Sequence, residues 1–219
     1  MDKIIITTFT DPMMGLTYEC EPIYDKLKEH YGDALEFKYI MAGLVRDVSD
    51  FMTPDELALP AKEGIRKYNV RLAGIYKSEE SIGGLPINMK GFHLFDEEHR
   101  SSYPLNIAYK AAQLADSEKA DLFLYNLRHA TVLETRQTTL TVEILNVAKE
   151  TGINAALFMK HFSNGSAEAA FLQDLHYTKS LGIYSLPSYL IQSGGQSVLV
   201  TKLIDFDSFK DIIRRIRQF

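Results

Sequence analysis

The chain has 219 residues, 46% of them hydrophobic, with a formal net charge of −5 and a pI of about 5.7. This composition is typical of a globular protein with one large domain, and its acidity gives no reason to expect nucleic acid or a membrane as a partner. Cys20 is its one cysteine, and the sequence offers neither a signal peptide nor a membrane span, so we expect a cytoplasmic protein.

The first 41 residues predict a strand, a helix and a second strand. Lys3–Thr8 is short and rich in β-branched residues, which favours a buried strand. A helix is predicted from about residue 14 or 16 to about residue 30, with a kink at Pro22, because proline removes a backbone donor inside a helix. Leu35–Met41 alternates between apolar and polar residues and predicts a strand parallel to the first.

The middle of the chain predicts a block of helices. Thr53 and Pro54 are typical of a helix start, and they precede a helix predicted over Asp55–Tyr68. A loop-rich segment, 83–102, follows. Further helices are predicted over Tyr103–Ala115, Ala120–Ala130, Thr139–Thr151 and Asn154–His161.

The last third predicts a helix, two strands and a final helix. The helix Ala167–Leu181 precedes two strands, Ser188–Gln192 and Ser197–Lys202, and Gly194-Gly195 between them indicates an antiparallel hairpin. An amphipathic helix is predicted over Phe206–Gln218. We therefore expect residues 1–42 and 164–219 to form one α/β domain, and residues 43–163 to form a helical insertion domain.

The segment Asp11–Pro22, DPMMGLTYECEP, follows the first strand and opens the first helix. It resembles the active-site segment D-P-M-C-x-W-C-Y-G-x-E-P of DsbA-family proteins, in particular the bacterial cytosolic disulfide isomerase type. The matching positions are Asp11, Pro12, Met13, Tyr18, Glu21 and Pro22. Met14 and Thr17 stand where that family has its two cysteines.

A second segment, Gly182–Tyr189, resembles the G-V-x-x-x-P-[ST] segment of the same family. The resemblance implies an α/β thioredoxin fold with a large helical insertion between the second and third strands. It also implies that Pro187 is cis and that the backbone of the preceding residue pairs with an extended peptide or with glutathione. The residues that would bind such a ligand are Met14, Gly15, Thr17, Leu186 and Pro187.

The residues at the two cysteine positions exclude dithiol chemistry. Disulfide exchange requires a thiolate, and the thioether of Met14 cannot ionise. The hydroxyl of Thr17 would need an adjacent general base, and the local sequence supplies none. Cys20 lies at helical spacing from Leu16, Ile23 and Leu27, so we expect its side chain to be buried and to pack as a small hydrophobic group. The site of Met14 and Thr17 is expected to be partly exposed.

Three functions follow from the resemblance. The first is a redox-inactive protein that binds a peptide or a protein partner in the groove beside the cis-proline. The second is a glutathione-dependent transferase or isomerase of the kappa-class or hydroxychromene carboxylate isomerase type, with glutathione as a possible cofactor. The third is a disulfide isomerase by homology alone. No catalytic residue is assigned.

Two groups of polar residues are candidates for further sites. The segment His93–His99 fits no zinc spacing, so we expect a solvated loop and no metal. Arg128 and Arg136 could reach a groove and bind a carboxylate, but salt bridges with Glu134 or Glu143 are the simpler expectation.

Overall fold

The computed structural model describes residues 2–217, which form a four-stranded sheet with helices on both sides. The strand order is β2-β1-β3-β4, with β1 (Ile4–Thr10) parallel to β2 (Leu35–Met41) and antiparallel to β3 (Ser188–Ser193). β4 (Gln196–Val200) completes the sheet as the antiparallel partner of β3. Nearly every residue of β1 is buried, which explains its unbroken run of β-branched and apolar side chains.

The first helix differs from the continuous kinked helix that was predicted. It is divided at Cys20 into α1 (Gly15–Glu19) and α2 (Glu21–Tyr31). Pro22 occupies the first turn of α2, where a missing N–H costs nothing, and the N–H groups of Ile23 and Tyr24 both donate to the Cys20 carbonyl. Proline therefore starts a second helix here.

The segment between β2 and β3 is helical, as expected, with one marked difference. The helix predicted over Asp55–Tyr68 is two helices, a one-turn α3 (Pro54–Leu57) and a long α4 (Ala61–Gly83) that runs fifteen residues beyond the predicted end. Thr53 caps α3 in a reciprocal capping box with Glu56. The remaining helices are α5 (Tyr103–Ala115), α6 (Ala120–Val132), α7 (Thr141–Glu150), α8 (Ala155–Ser163) and α9 (Ser166–Ser180).

The C-terminal part follows the prediction closely. Gly194 and Gly195 both have positive φ in the hairpin between β3 and β4, as a tight two-residue turn requires. α10 (Phe206–Ile216) packs Phe209, Ile213 and Ile216 against the sheet. The predicted end of this helix, Gln218, lies outside the described residues.

Two main clusters of apolar side chains form the core. The larger joins the insertion helices to α9 and to the end of β2, and the smaller lies between the sheet, α2 and α10. Among residues 2–217, no helix is long and apolar enough to cross a membrane. The α/β architecture and the helical insertion between the second and third strands confirm the predicted fold class.

Candidate functional site

The turn between β1 and α1 is fixed by the carboxylate of Asp11. This side chain is fully buried and accepts hydrogen bonds from the Met13 N–H (3.0 Å) and the Leu44 N–H (2.7 Å). It also accepts from the Ser102 hydroxyl (2.7 Å) and the Asn106 amide (2.8 Å). Burial raises the pKa of Asp11, and the four donors oppose that rise. Asp11 thus ties the motif to the helical insertion.

Met14 and Thr17 are both buried, so the prediction of a partly exposed site at these two residues is wrong. Met14 immediately precedes α1 and is 7% exposed, and Thr17 is fully buried. The Thr17 hydroxyl lies 2.9 Å from the hydroxyl of Thr10 and 3.8 Å from the Met14 sulfur. The next polar group along this network is the guanidinium of Arg128, which donates to Thr10 (3.1 Å). A guanidinium cannot accept a proton, so the contacts of Thr17 include no general base.

Arg128 is a buried cation behind the motif, 1% exposed on α6. One of its nitrogens contacts the Glu21 carboxylate at 3.1 Å, and its guanidinium lies 5.9 Å from the ring centre of Tyr39. Its Nε is buried without a hydrogen-bond partner among the described residues. Arg128 and Glu21 also line a polar cavity of about 320 Å³. The salt bridges predicted with Glu134 and Glu143 are confirmed for Arg136 and not for Arg128, which pairs with Glu21.

A mainly apolar cavity of about 260 Å³ lies beside the start of α1, where the binding groove is predicted. Three of the five predicted binding residues line it, namely Met14, Gly15 and Leu186. Thr17 and Pro187 do not line it. The other lining residues come from the insertion and the motif: Met13, Leu16, Leu44, Val45, Phe51, Tyr68, Arg71, Leu72, Ile75, Tyr76 and Glu79.

The backbone at Leu186 is available for pairing. The Leu186-Pro187 peptide bond is cis, as the resemblance implied. Ser188 is the first residue of β3 to pair with β1, so Leu186 lies just outside the sheet ladder. Within residues 2–217, the N–H and the C=O of Leu186 make no hydrogen bond. An unpaired backbone next to a strand end can pair with an extended peptide.

Two glycines allow α1 and α4 to pack closely. A Cβ on Gly15 would lie 2.5 Å from Oε2 of Glu79, and a Cβ on Gly83 would overlap the backbone carbonyl of Glu19. Glu19 is held in place by the N–H groups of Gly83 and Leu85. Each glycine therefore makes room for the opposite helix, and both glutamates lie at the helix contact.

Cys20 is buried, as predicted, although its surroundings differ. Its Sγ donates to the Leu16 carbonyl (3.2 Å) and lies 3.8 Å from the hydroxyl of Tyr189, and burial raises the pKa of the thiol to about 11. Tyr24 and Leu27 share its apolar cluster. Leu16 was wrongly placed on this face, because the break at Cys20 lets Leu16 line the cavity beside Met14 instead.

The polar segment His93–His99 forms local contacts. Asp96 accepts from the backbone and ring of His99, and His93 Nδ1 lies 3.0 Å from the Gly91 carbonyl. In the described part of the chain, no three His, Cys, Asp or Glu side chains are grouped as metal ligands.

The residues of α4 are site residues that the sequence did not reveal, and of Asp11 it revealed the motif match but not the contacts with the insertion. The apolar spacing of Leu72 and Tyr76 continues the helical pattern beyond the predicted end, and it was the available signal for a longer α4. The hydroxyl of Tyr76 donates to the Met13 carbonyl (2.6 Å), which fixes α4 against the motif. Nothing local to Ile75 or Glu79 indicates that either residue faces a groove.

Comparison with known proteins gives consistent matches over most of the chain. A family model described as Thioredoxin matches residues 7–211. The ClpXP adapter protein SpxH of Bacillus cereus is 24% identical over 211 residues, which is 95% of this chain and 67% of that protein. This chain therefore spans about two thirds of the length of that relative.

Solved structures with low sequence identity share the fold. A protein from Nitrosomonas europaea, provisionally assigned as a protein disulfide isomerase, has a TM-score of 0.78 at 16% identity over 99% of this chain and 98% of its own. The cytosolic disulfide reductase DsbM from Pseudomonas aeruginosa, solved with GSH, has a TM-score of 0.64 at 18% identity over 98% and 100% of the two chains.

Proposed function

The chain belongs to the thioredoxin family, as a DsbA-type member without the C-x-x-C cysteines, and we propose that it is a redox-inactive binding module. Its ligand is an extended segment of a protein partner. That segment lies in the groove lined by Met14, Gly15 and Leu186, with Thr17 and Pro187 supporting the groove from behind.

The observation that carries this proposal is the unpaired backbone of Leu186 beside an apolar cavity. Pairing with a strand edge needs only backbone groups, so it does not depend on the lost thiols. The cavity next to it, with Leu44, Phe51 and Ile75 in its walls, gives one side chain of the bound segment a place to bury apolar surface. Backbone pairing and one side-chain pocket together favour a peptide over a compact metabolite.

The similarity to SpxH supports a protein as the partner. SpxH is a ClpXP adapter protein, and its name indicates a protein as its partner. The lack of a dithiol in this chain is compatible with such a role.

Glutathione is the alternative ligand for the same groove, because DsbM, which shares the fold, has been solved with GSH. Glutathione transfer chemistry would need a group to stabilise the thiolate of the bound tripeptide. The only hydroxyl of the motif at a cysteine position, Thr17, is fully buried and already bonded to Thr10. We therefore place glutathione second, as a ligand and not as a reactant.

Two further predictions accompany this function. A cytoplasmic location is proposed, because one buried cysteine gives the protein no use for an oxidising compartment. The domain division into 1–42 with 164–219 and the insertion 43–163 is also kept as a proposal.

The test is selection from a library of random hexapeptides displayed on phage, followed by fluorescence anisotropy with the enriched peptides. Ile75→Arg places a bulky charge in the groove, and we expect it to weaken binding about tenfold or more. Val70→Arg is the matched control, because both residues are exposed on α4 (43% for Ile75, 64% for Val70) and only Ile75 lines the cavity.

The control variant should bind as the wild type does. Equal binding by both variants, or no enrichment of any peptide, would refute the proposed groove. Calorimetry with glutathione is run in parallel. If glutathione binds, Ile75→Arg abolishes that binding, and no peptide binds, then glutathione is the ligand of the groove.

A further inference from the structure

A carboxyl group without a partner faces the apolar groove. Glu79 on α4 lines the cavity, and its Oε2 is buried against Gly15 at the start of α1. Within the described residues this oxygen has no hydrogen bond and Glu79 has no salt bridge. Burial, with the charge of Glu19 nearby as a smaller cause, raises the pKa of Glu79 to about 7. A buried carboxylate without a partner is costly, so a cation close to it would be strongly favoured.

No cation of the groove supplies that charge. Arg71 is the one basic residue in the cavity lining. Its guanidinium is already occupied, because it contacts both oxygens of Glu56 (2.8 and 3.0 Å) and the Phe51 carbonyl (2.8 Å). The hydrogen bonds from this guanidinium lower the pKa of Glu56 to about 2, although burial acts in the opposite direction, as for a carboxylate in a stable pair. Arg71 therefore neutralises Glu56 and leaves Glu79 uncompensated.

The rest of the cavity lining is mainly apolar. Leu44, Phe51, Leu72 and Ile75 all line the cavity, and Leu186 lies at the same cavity. A ligand that fits must therefore present hydrocarbon to the walls and a positive charge to Glu79. Lysine and arginine side chains have this form, since their stems pack on apolar surface while the charged end finds a polar group.

We infer that the cavity receives a long basic side chain of the partner segment, whose terminal cation pairs with Glu79. This inference rests on the proposed function and specifies the partner's chemistry at the same groove. The bound segment pairs its backbone with Leu186 and inserts a lysine or arginine into the cavity that Glu79 lines. The pair forms away from bulk water, so its loss weakens binding more than loss of an exposed ion pair does.

The experiment uses the same displayed hexapeptide library on the wild type, on Glu79→Gln and on Glu80→Gln. Glutamine keeps the shape of Glu79 and removes its charge. Glu80 is the matched control, because it is the adjacent residue on α4, carries the same charge, and pairs with Lys77 outside the cavity. We expect lysine and arginine to be enriched about fivefold or more at one peptide position with the wild type and with Glu80→Gln, and to lose that enrichment with Glu79→Gln.

A defined pair of peptides gives the second measurement. The best lysine-containing hexapeptide is compared with its norleucine counterpart, which keeps the hydrocarbon stem and lacks the ammonium group. The wild type should bind the lysine peptide about tenfold more tightly, and Glu79→Gln should reduce this ratio to less than about twofold. Circular dichroism of the variant verifies that it is folded.

The outcomes separate this inference from the function on which it rests. Enrichment of apolar or acidic residues at the pocket position, with binding still sensitive to Ile75→Arg, overturns the inference and leaves the binding module standing. Equal ratios for the wild type and Glu79→Gln overturn it in the same way. If no peptide is selected, both this inference and the proposed peptide-binding function are refuted.

Discussion

Replacement of the buried cation behind the motif provides the most informative stability prediction. Arg128→Met removes a guanidinium that is 1% exposed and contacts both the Glu21 carboxylate and the Thr10 hydroxyl at 3.1 Å. Methionine fills much of the space but leaves Glu21, whose side chain is only 13% exposed, without a cation. Removal of one partner of a buried ion pair typically costs about 3–5 kcal/mol. We expect about 3 kcal/mol, because the pair borders a cavity of about 320 Å³ through which water can reach the remaining carboxylate.

The assay is equilibrium unfolding in urea, arranged as a double-mutant cycle with Glu21→Gln. The double variant should lose less stability than the two single variants together, with a coupling energy of about 2 kcal/mol. Glu21→Gln is the second single variant of the cycle, because it leaves Arg128 in place and removes only the anion.

The stability lost in Arg128→Met should be smaller at low pH than at neutral pH. Burial raises the pKa of Glu21 in the folded protein, and Arg128 opposes that rise. Without Arg128 the folded pKa rises further above the unfolded value, so the proton is bound more tightly in the folded state. The variant therefore regains stability as the pH falls from the folded pKa to the unfolded pKa, has regained it fully below the unfolded pKa, and loses it as the pH rises through the folded pKa.

A deficit below about 0.5 kcal/mol at neutral pH, or one that is constant between about pH 4 and pH 8, would refute the reasoning. Such a result would mean that water already solvates Glu21 in the folded protein and that Arg128 is not its principal partner.

Three further outcomes are expected. Cys20 should react with a thiol reagent only after denaturant is added, because burial raises its pKa to about 11; rapid stoichiometric labelling of the native protein contradicts this. The wild type should not accelerate the reduction of insulin by dithiothreitol. The double variant Met14→Cys with Thr17→Cys should form a disulfide under mild oxidant. Two free thiols in this variant, with the protein still folded, would refute the alignment of the motif. Gly83→Ala should destabilise the protein in thermal unfolding, because the added Cβ meets the backbone of α1. The matched control Gly74→Ala is exposed on the same helix with open space around it, and it should stabilise the protein by up to about 1 kcal/mol. Equal effects of the two substitutions would show that α1 and α4 are not closely packed.

The sequence predicted the sheet well because its signals are local. β1 and β2 are short and β-branched or alternating, and the glycine pair before Gln196 favours a tight turn. The motif resemblance then placed Met14 and Leu186 beside one groove, although they are far apart in the chain.

The features that the sequence did not reveal depend on long-range contacts. A proline within a helical pattern is compatible with both a kink and a new helix, and the packing of α1 against α4 through Gly15 and Gly83 decides in favour of the second. The position of Arg128 behind Thr10 follows from the docking of α6 on the sheet, which no local pattern encodes.

We expect an extended peptide to pair with the backbone of Leu186 without any thiol chemistry. The most direct measurement is amide hydrogen exchange at Leu186, by NMR, with and without a saturating hexapeptide selected from the library. The N–H of Leu186 makes no hydrogen bond within residues 2–217, so its exchange should slow about tenfold or more when the peptide is bound. Unchanged exchange at Leu186 while the peptide remains bound would contradict strand pairing at this groove.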